Sequence, residues 1–224
     1  MSAAGGDRAP GPDPLLVACA LRIEQAALRS AGGGSGRGSG RGAAGHTLLR
    51  TGMGPSAAER AVGRALDRPE MDRAAVLATG FCAGLVPGMH PGDLVVAEQT
   101  RDPQGTVTCT GSALLAEALA RAAPGRTVHT GALTGSDHVV RGQERAQLRA
   151  TGAIAVDMES AATLWAATRG GGRPVAAVRV IVDAPEHELV RIGTVRGGIS
   201  AFRVLRAVLP AFYEWHRSLL LPRR

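Results

Sequence analysis

Short apolar runs alternate along this chain with segments whose apolar positions recur every three or four residues. Residues 15–20, 74–79, 93–97, 127–133, 153–156 and 175–182 read as strands, the last three near-continuous in apolar or small residues, as in strands covered on both faces. Residues 23–29, 56–66, 114–121, 143–149 and 158–168 carry the helical period. Strands alternating with helices predict an α/β domain built on a parallel or mixed sheet covered on both sides. Residues 1–14, rich in Gly, Pro and Ala, read as a disordered N-terminus, and residues 15–224 as one domain. Residues 31–45 (AGGGSGRGSGRGAAG) read as a flexible loop between strands; no strand directly precedes them and no GK[ST] follows, so a phosphate cradle is not assigned.

Composition narrows the class. The 224 residues suffice for one ordinary domain with its core. No window approaches eighteen uninterrupted apolar residues, and the start lacks the basic-then-apolar order of a signal peptide, which predicts a cytoplasmic protein. Cys19, Cys82 and Cys109 are widely spaced without a CxxC and read as buried thiols. The formal charge is +7, with Arg as the only strong base among 26 cationic residues. Nucleic acid would call for clustered arginines interleaved with aromatics, and the six aromatic residues lie mostly near the C-terminus. There is no HExxH, paired CxxC or GxSxG, so metal and serine-hydrolase chemistry has no anchor and no cofactor is expected.

In α/β sheets the C-terminal ends of strands are where polar residues make sites. Here those ends carry Glu24, the Thr79-Gly80 turn, Ser136-Asp137, Asp157-Met158-Glu159 and Asp183. Each has a bland reading beside the chemical one. Asp157 caps a helix, or belongs to a site. Glu159, one residue into an apolar helix start, can accept two hydrogen bonds from a vicinal diol. Asp183 starts an Asp-Ala-Pro turn, or is a half-buried general acid at a strand mouth. Glu24 alone reads as an exposed helix residue pairing with an Arg; its alternative is a carboxylate that orients a nucleophilic water. The glycine-bearing segments 51–54 and 79–84 read as turns that let backbone approach a ligand.

Jointly, four stretches carry a resemblance: ATGFCAGLVPGMHPGDLVVAE at 78–98, GALTGSD at 131–137, IAVDMESAA at 154–162 and VRVIVD at 178–183. In this order the chain resembles the purine nucleoside phosphorylase and methylthioadenosine/adenosylhomocysteine nucleosidase superfamily. The AVDMES and RVIVDAP segments look most like its hopanoid-associated branch, linked to removal of adenine from adenosylhopane. The resemblance implies a single-domain nucleoside-phosphorylase-like fold, a central mixed sheet flanked by helices on both sides, a small-molecule nucleoside substrate and a homodimer. Carried over, Asp183 protonates the leaving purine at N7, Glu159 grips the ribose diol with Met158 beneath the sugar, and Glu24 positions the attacking water. Asp157, Gly80 and Phe81 join the substrate site; His138 lies against the base or in solvent, and Asp137 contacts adenine or caps its loop.

Departures from the family pattern matter. Val182 stands where relatives commonly place a Ser that orients the aspartate, and Ala78 and Phe81 replace phosphate-handling groups. Arg50 is the best remaining cation for phosphate. Hydrolysis is therefore expected over phosphorolysis; a general methylthioadenosine nucleosidase and a catalytically silent nucleoside-binding protein stay open. The tail at 199–221 holds Phe202, Phe212, Tyr213 and Trp215 interleaved with arginines. It reads as a final core helix broken near Pro210, the alternative being a surface that lets the enzyme touch a membrane and reach a lipid-linked nucleoside.

Overall fold

The computed structural model describes residues 13–31, 46–184 and 194–219, side chains at 194–199 excepted. The predicted N-terminal disorder and the Gly-rich loop thus fall almost wholly outside the described residues. Within them, eight strands form one mixed sheet: β1 (Leu15–Cys19), β2 (His46–Arg50), β3 (Ala75–Gly84), β4 (Leu94–Asp102), β5 (Gly105–Thr108), β6 (Val128–Gly135), β7 (Ala153–Asp157) and β8 (Val175–Asp183). Helices α1 (Arg22–Ala31), α2 (Pro55–Leu66), α3 (Ser112–Ala122), α4 (Gln143–Ala150), α5 (Ser160–Thr168), α6 (Thr194–Ala207) and α7 (Leu209–Leu219) surround it. The α/β class and the mixed, helix-flanked sheet are as expected.

Side-chain alternation sorts the core into two layers. From β1, Leu15, Val17 and Cys19 join one cluster with Leu28 of α1, Leu115 and Leu119 of α3, Leu205 of α6 and Phe212 of α7. Leu16 and Ala18 join the other, with Val62 of α2 and Leu164 of α5. The three cysteines are free and buried, and burial pushes the Cys19 and Cys109 thiols up to about 12.

β3 is the pivot of the site. It runs parallel to β1 and β8, then meets β7 antiparallel at Ala83 and Gly84. β8 also pairs antiparallel with β4, β4 parallel with β6, and β6 parallel with β7, which closes a ring β3-β8-β4-β6-β7. The expected Thr79-Gly80 turn is corrected here. Both residues lie inside β3, because residues 80–83 continue the ladder to β8 through a bulge between Cys82 and Ala83 rather than breaking it. The strand is therefore long enough to serve three neighbours, β1, β8 and β7.

The tail is helical on both sides of Val208, with Pro210 in the first turn of α7, where its missing N–H costs nothing. Phe212 and Trp215 are buried, Trp215 donating its Nε1–H to the Thr110 carbonyl, and Tyr213 pairs with His46. Phe202 and Tyr213 are half-buried. No helix of the described residues is long and apolar enough to cross a membrane. Phe212→Ala removes a ring with no exposed surface and is expected to cost about 3–5 kcal/mol in urea unfolding.

Candidate active site

The ends of β1, β7 and β8 converge on residues Gly80–Ala83 of β3 and open into a cavity of about 210 Å³. Its wall includes Glu24, Phe81, His138, Asp157, Met158, Glu159 and Asp183, so one cavity gathers seven of the ten candidate residues. Gly80, Asp137 and Arg50 do not line it.

Glu24 corrects the reading of an exposed helix residue. It is only 2% exposed, on the inner face of α1 with Ala27 and Leu28. Its Oε2 accepts from the Ala20 and Leu21 N–H groups at 2.9 and 2.8 Å, and its Oε1 from Phe81 N–H at 2.9 Å. Burial raises its carboxyl above the ordinary glutamate range; the Arg179 guanidinium and the three backbone donors pull it partly back. A carboxylate so fixed, and more basic than usual, is suited to taking a proton from water.

The partner holding the acids together is Arg179, which the sequence reading passed over. It is a fully buried cation in the middle of an apolar strand. Its Nη2 lies 2.5 Å from Asp157 Oδ2, its Nη1 4.0 Å from Glu159 Oε2, and its Nε donates to Ser160 Oγ at 2.8 Å. Burial works against its charge, yet Asp157, Glu159 and Glu24 together hold it above the usual guanidinium range. Asp157 also accepts the Ser160 N–H, so its carboxylate holds the start of α5 as well as pairing with Arg179. The signal was available: an Arg within VAAVRVIV at a core-facing position needs acids around it.

Glu159 stands at the cap position of α5, and its Oε1 accepts the Gly54 N–H at 2.9 Å. Gly52 and Gly54 both adopt positive φ, which turns the chain between β2 and α2 so that this N–H points at Glu159. Burial raises the Glu159 carboxyl, with Arg179 lowering it and Asp157 raising it further. Met158 lies beside it on the cavity wall.

Gly80 acts beneath the site rather than on its surface. Its φ is +139°, and a Cβ there would meet Glu24 Oε1 at 2.5 Å and Arg179 Nη1 at 2.6 Å. Gly80→Ala is expected to lower turnover by roughly 10²-fold through displaced acids, and to destabilise by about 1–3 kcal/mol. Steady-state kinetics with thermal unfolding of the same preparation checks both.

Asp183 ends β8, and Arg145 of α4 ion-pairs with its Oδ2 through Nη2. The orienting partner missing at Val182 is thus supplied from another element. Arg145 is itself buried and anchored by Nε to the Val140 carbonyl at 3.3 Å. The alternating charges of QERAQLR gave no sign of that burial.

The remaining candidates are peripheral. The His138 imidazole, exposed to solvent, is held between Asp137 Oδ1 at 2.7 Å and Glu144 at 3.0 Å; these acids raise its basicity, Asp137 most. Asp137 Oδ1 pairs with His138, and the residue lines a second cavity instead of the first. Arg50 is exposed at the end of β2. At the mouth, Met53 and Val139 are 68% and 63% exposed, and a second cavity of about 390 Å³ adjoins through His138 and Met158. Among the described residues no cluster of His, Cys, Asp or Glu is suited to a metal.

The family model of the phosphorylase superfamily matches residues 42–210. Comparison with curated proteins gives no match. Among solved structures, the chain is similar to the 5′-methylthioadenosine/S-adenosylhomocysteine nucleosidase of Neisseria meningitidis, at 23% identity and TM-score 0.71, over 90% of this chain and 98% of that one. The S-adenosylhomocysteine nucleosidase of Streptococcus pyogenes matches at 20% identity and TM-score 0.75, over 96% and 100%. Futalosine hydrolase of Helicobacter pylori matches at 16% identity and TM-score 0.73, over 90% and 97%. At these identities the likeness is one of fold.

Proposed function

The chain belongs to the phosphorylase superfamily, and from that premise we propose that it hydrolyses the N-glycosidic bond of a 5′-substituted adenosine, releasing adenine. The observation that carries this is the convergence of Glu24, Glu159 and Asp183 on one cavity. Cleavage of this bond builds positive charge on the ribose and negative charge on the base, and each needs its own counterpart. Asp183 gives its proton to N7 as the C1′–N9 electron pair moves into the purine. Glu159 accepts hydrogen bonds from the ribose hydroxyls. Glu24 takes a proton from the water whose oxygen bonds to C1′. The two acids nearest the sugar also favour its developing positive charge.

Hydrolysis is favoured over phosphorolysis by the distribution of cations. Among the described residues the two buried arginines are committed, Arg179 to Asp157 and Arg145 to Asp183. Arg50 lies outside the cavity, and a phosphate dianion inside it would face Glu24 and Glu159.

Adenosylhopane is the preferred substrate, on the AVDMES and RVIVDAP segments and on the apolar mouth formed by Met53 and Val139, which suits a 5′ substituent leaving the cavity. We take the enzyme to act in the cytoplasm as a homodimer. Adenine release from adenosylhopane and from methylthioadenosine, each with and without phosphate, tests this. Faster phosphate-independent release from adenosylhopane is expected. Preference for methylthioadenosine would make it a salvage nucleosidase, and no release from either would favour a silent binding protein.

A further inference from the structure

Residues 136–142 join β6 to α4, and among the described residues no backbone–backbone hydrogen bond reaches Asp137 through Arg141. Side chains hold the segment instead. Ser136 Oγ accepts the His138 N–H at 3.2 Å and donates to the His138 carbonyl at 2.8 Å, and Arg145 Nε donates to the Val140 carbonyl at 3.3 Å. The outer fastening is the His138 ring, with Nδ1 2.7 Å from Asp137 Oδ1 and Nε2 3.0 Å from the Glu144 carboxylate. A neutral imidazole donates from one nitrogen only and would turn its other lone pair on a carboxylate; the imidazolium donates from both. The clamp therefore fits a cation. Val139 and Val140 follow directly and line the catalytic cavity, Val140 buried with Leu85, Ala153 and Val156. His138 borders both cavities, whose walls also carry Asp102 of β4, Arg145 of α4, Asp157 and Glu159 at the start of α5, Asp183 of β8 and Glu24 of α1. Of the acids only Asp137 and Glu144 reach the ring among the described residues.

Resting on the assignment of this cavity to a nucleoside, we propose that His138 is a positioning residue: clamped between Asp137 and Glu144, its imidazolium fastens segment 136–142 to α4 and holds Val139 and Val140 against the bound substrate. Loss of the ring proton leaves a lone pair facing a carboxylate, so one of the two bonds breaks and the wall loosens. Asp137 first, then Glu144, raise the basicity of the ring above the ordinary histidine range. The latch is thus complete below that ordinary range and is lost as pH rises through the raised value. His138 gives nothing to the reacting atoms, so its effect falls on KM and not on kcat. The clamp is exposed to solvent, which keeps the effect modest.

Kinetics with methylthioadenosine from about pH 6 to about pH 9 test this. Wild-type KM is expected to rise roughly 3- to 5-fold through an alkaline limb that is absent from kcat. His138→Gln is expected to keep the high KM at every pH, and His138→Arg, a permanent cation with several donors, to keep the low one. Glu144→Gln leaves the ring one charged partner and should move the limb to lower pH. A wild-type KM without the limb, or a limb that survives His138→Gln, would overturn the proposal. Amide hydrogen exchange over residues 137–142 at about pH 6 gives a readout independent of turnover. Exchange is expected to be roughly 3-fold faster or more in His138→Gln than in wild type or His138→Arg. Equal exchange in all three would overturn the latch whatever the kinetics. A wild-type protein that releases no adenine would remove the nucleoside assignment alone, and the exchange comparison would then decide the latch.

Discussion

Asp183→Asn is expected to lower kcat for adenine release by roughly 10³-fold while nucleoside binding changes little. Asn has nearly the same shape, and its amide can still donate a hydrogen bond towards N7, but it cannot deliver a proton to the departing purine. Arg145 would keep one contact, to the side-chain carbonyl, so the end of β8 should hold its place. Kinetics together with calorimetric titration of a slowly cleaved substrate checks the result. A variant that turns over normally would mean that Asp183 starts a turn and nothing more. A variant that neither binds nor turns over would place it in substrate binding instead.

Glu24→Gln carries the second large effect. The residue sits where Ala20, Leu21 and Phe81 point three N–H groups at it and Arg179 lies close behind. Gln can accept only through its carbonyl oxygen, so at least one of those donors loses its partner. Removing the base is expected to cost roughly 10³-fold in kcat. The wild-type pH profile should carry the same signature. Burial raises the Glu24 carboxyl, and water activation needs the deprotonated form, so kcat/KM should fall with acid through a limb above the ordinary glutamate range. In Glu24→Gln that limb should vanish. A profile unchanged by the substitution would remove Glu24 from the chemistry.

The two layers of the core were legible because strand alternation and helical period both appear in the chain, as in Leu15–Cys19 and the inner face of α1. β2 and β5 escaped naming as strands because each is short and half exposed; in Gly105–Thr108 only Val107 is buried. β3 was cut short at Thr79 because Gly80 through Gly84 read locally as a turn, whereas the strand runs on and needs a glycine at 80 to pass under Glu24 and Arg179. The site divides in the same way. Asp157, Glu159 and Asp183 follow apolar runs and were found by position, and their placement in one cavity with Glu24 required the resemblance. Glu24 taken alone was misread because its helix face was ignored: Ala27 and Leu28 lie on the same side. Arg179 was a missed inference, since its flanking residues are core. Arg145 was beyond reach, because its burial comes from the packing of α4 on β7, which brings it to Asp183 at the end of β8 and which no local pattern encodes.

The most direct measurement is the identity of the sugar product, followed by proton and phosphorus NMR as adenine is released from methylthioadenosine in saturating phosphate. Attack by a Glu24-oriented water gives the free 5-methylthioribose and no phosphorus-coupled anomeric proton, at a rate unaffected by phosphate. Formation of the ribose 1-phosphate would contradict hydrolysis and transfer the nucleophile's place in the cavity to phosphate.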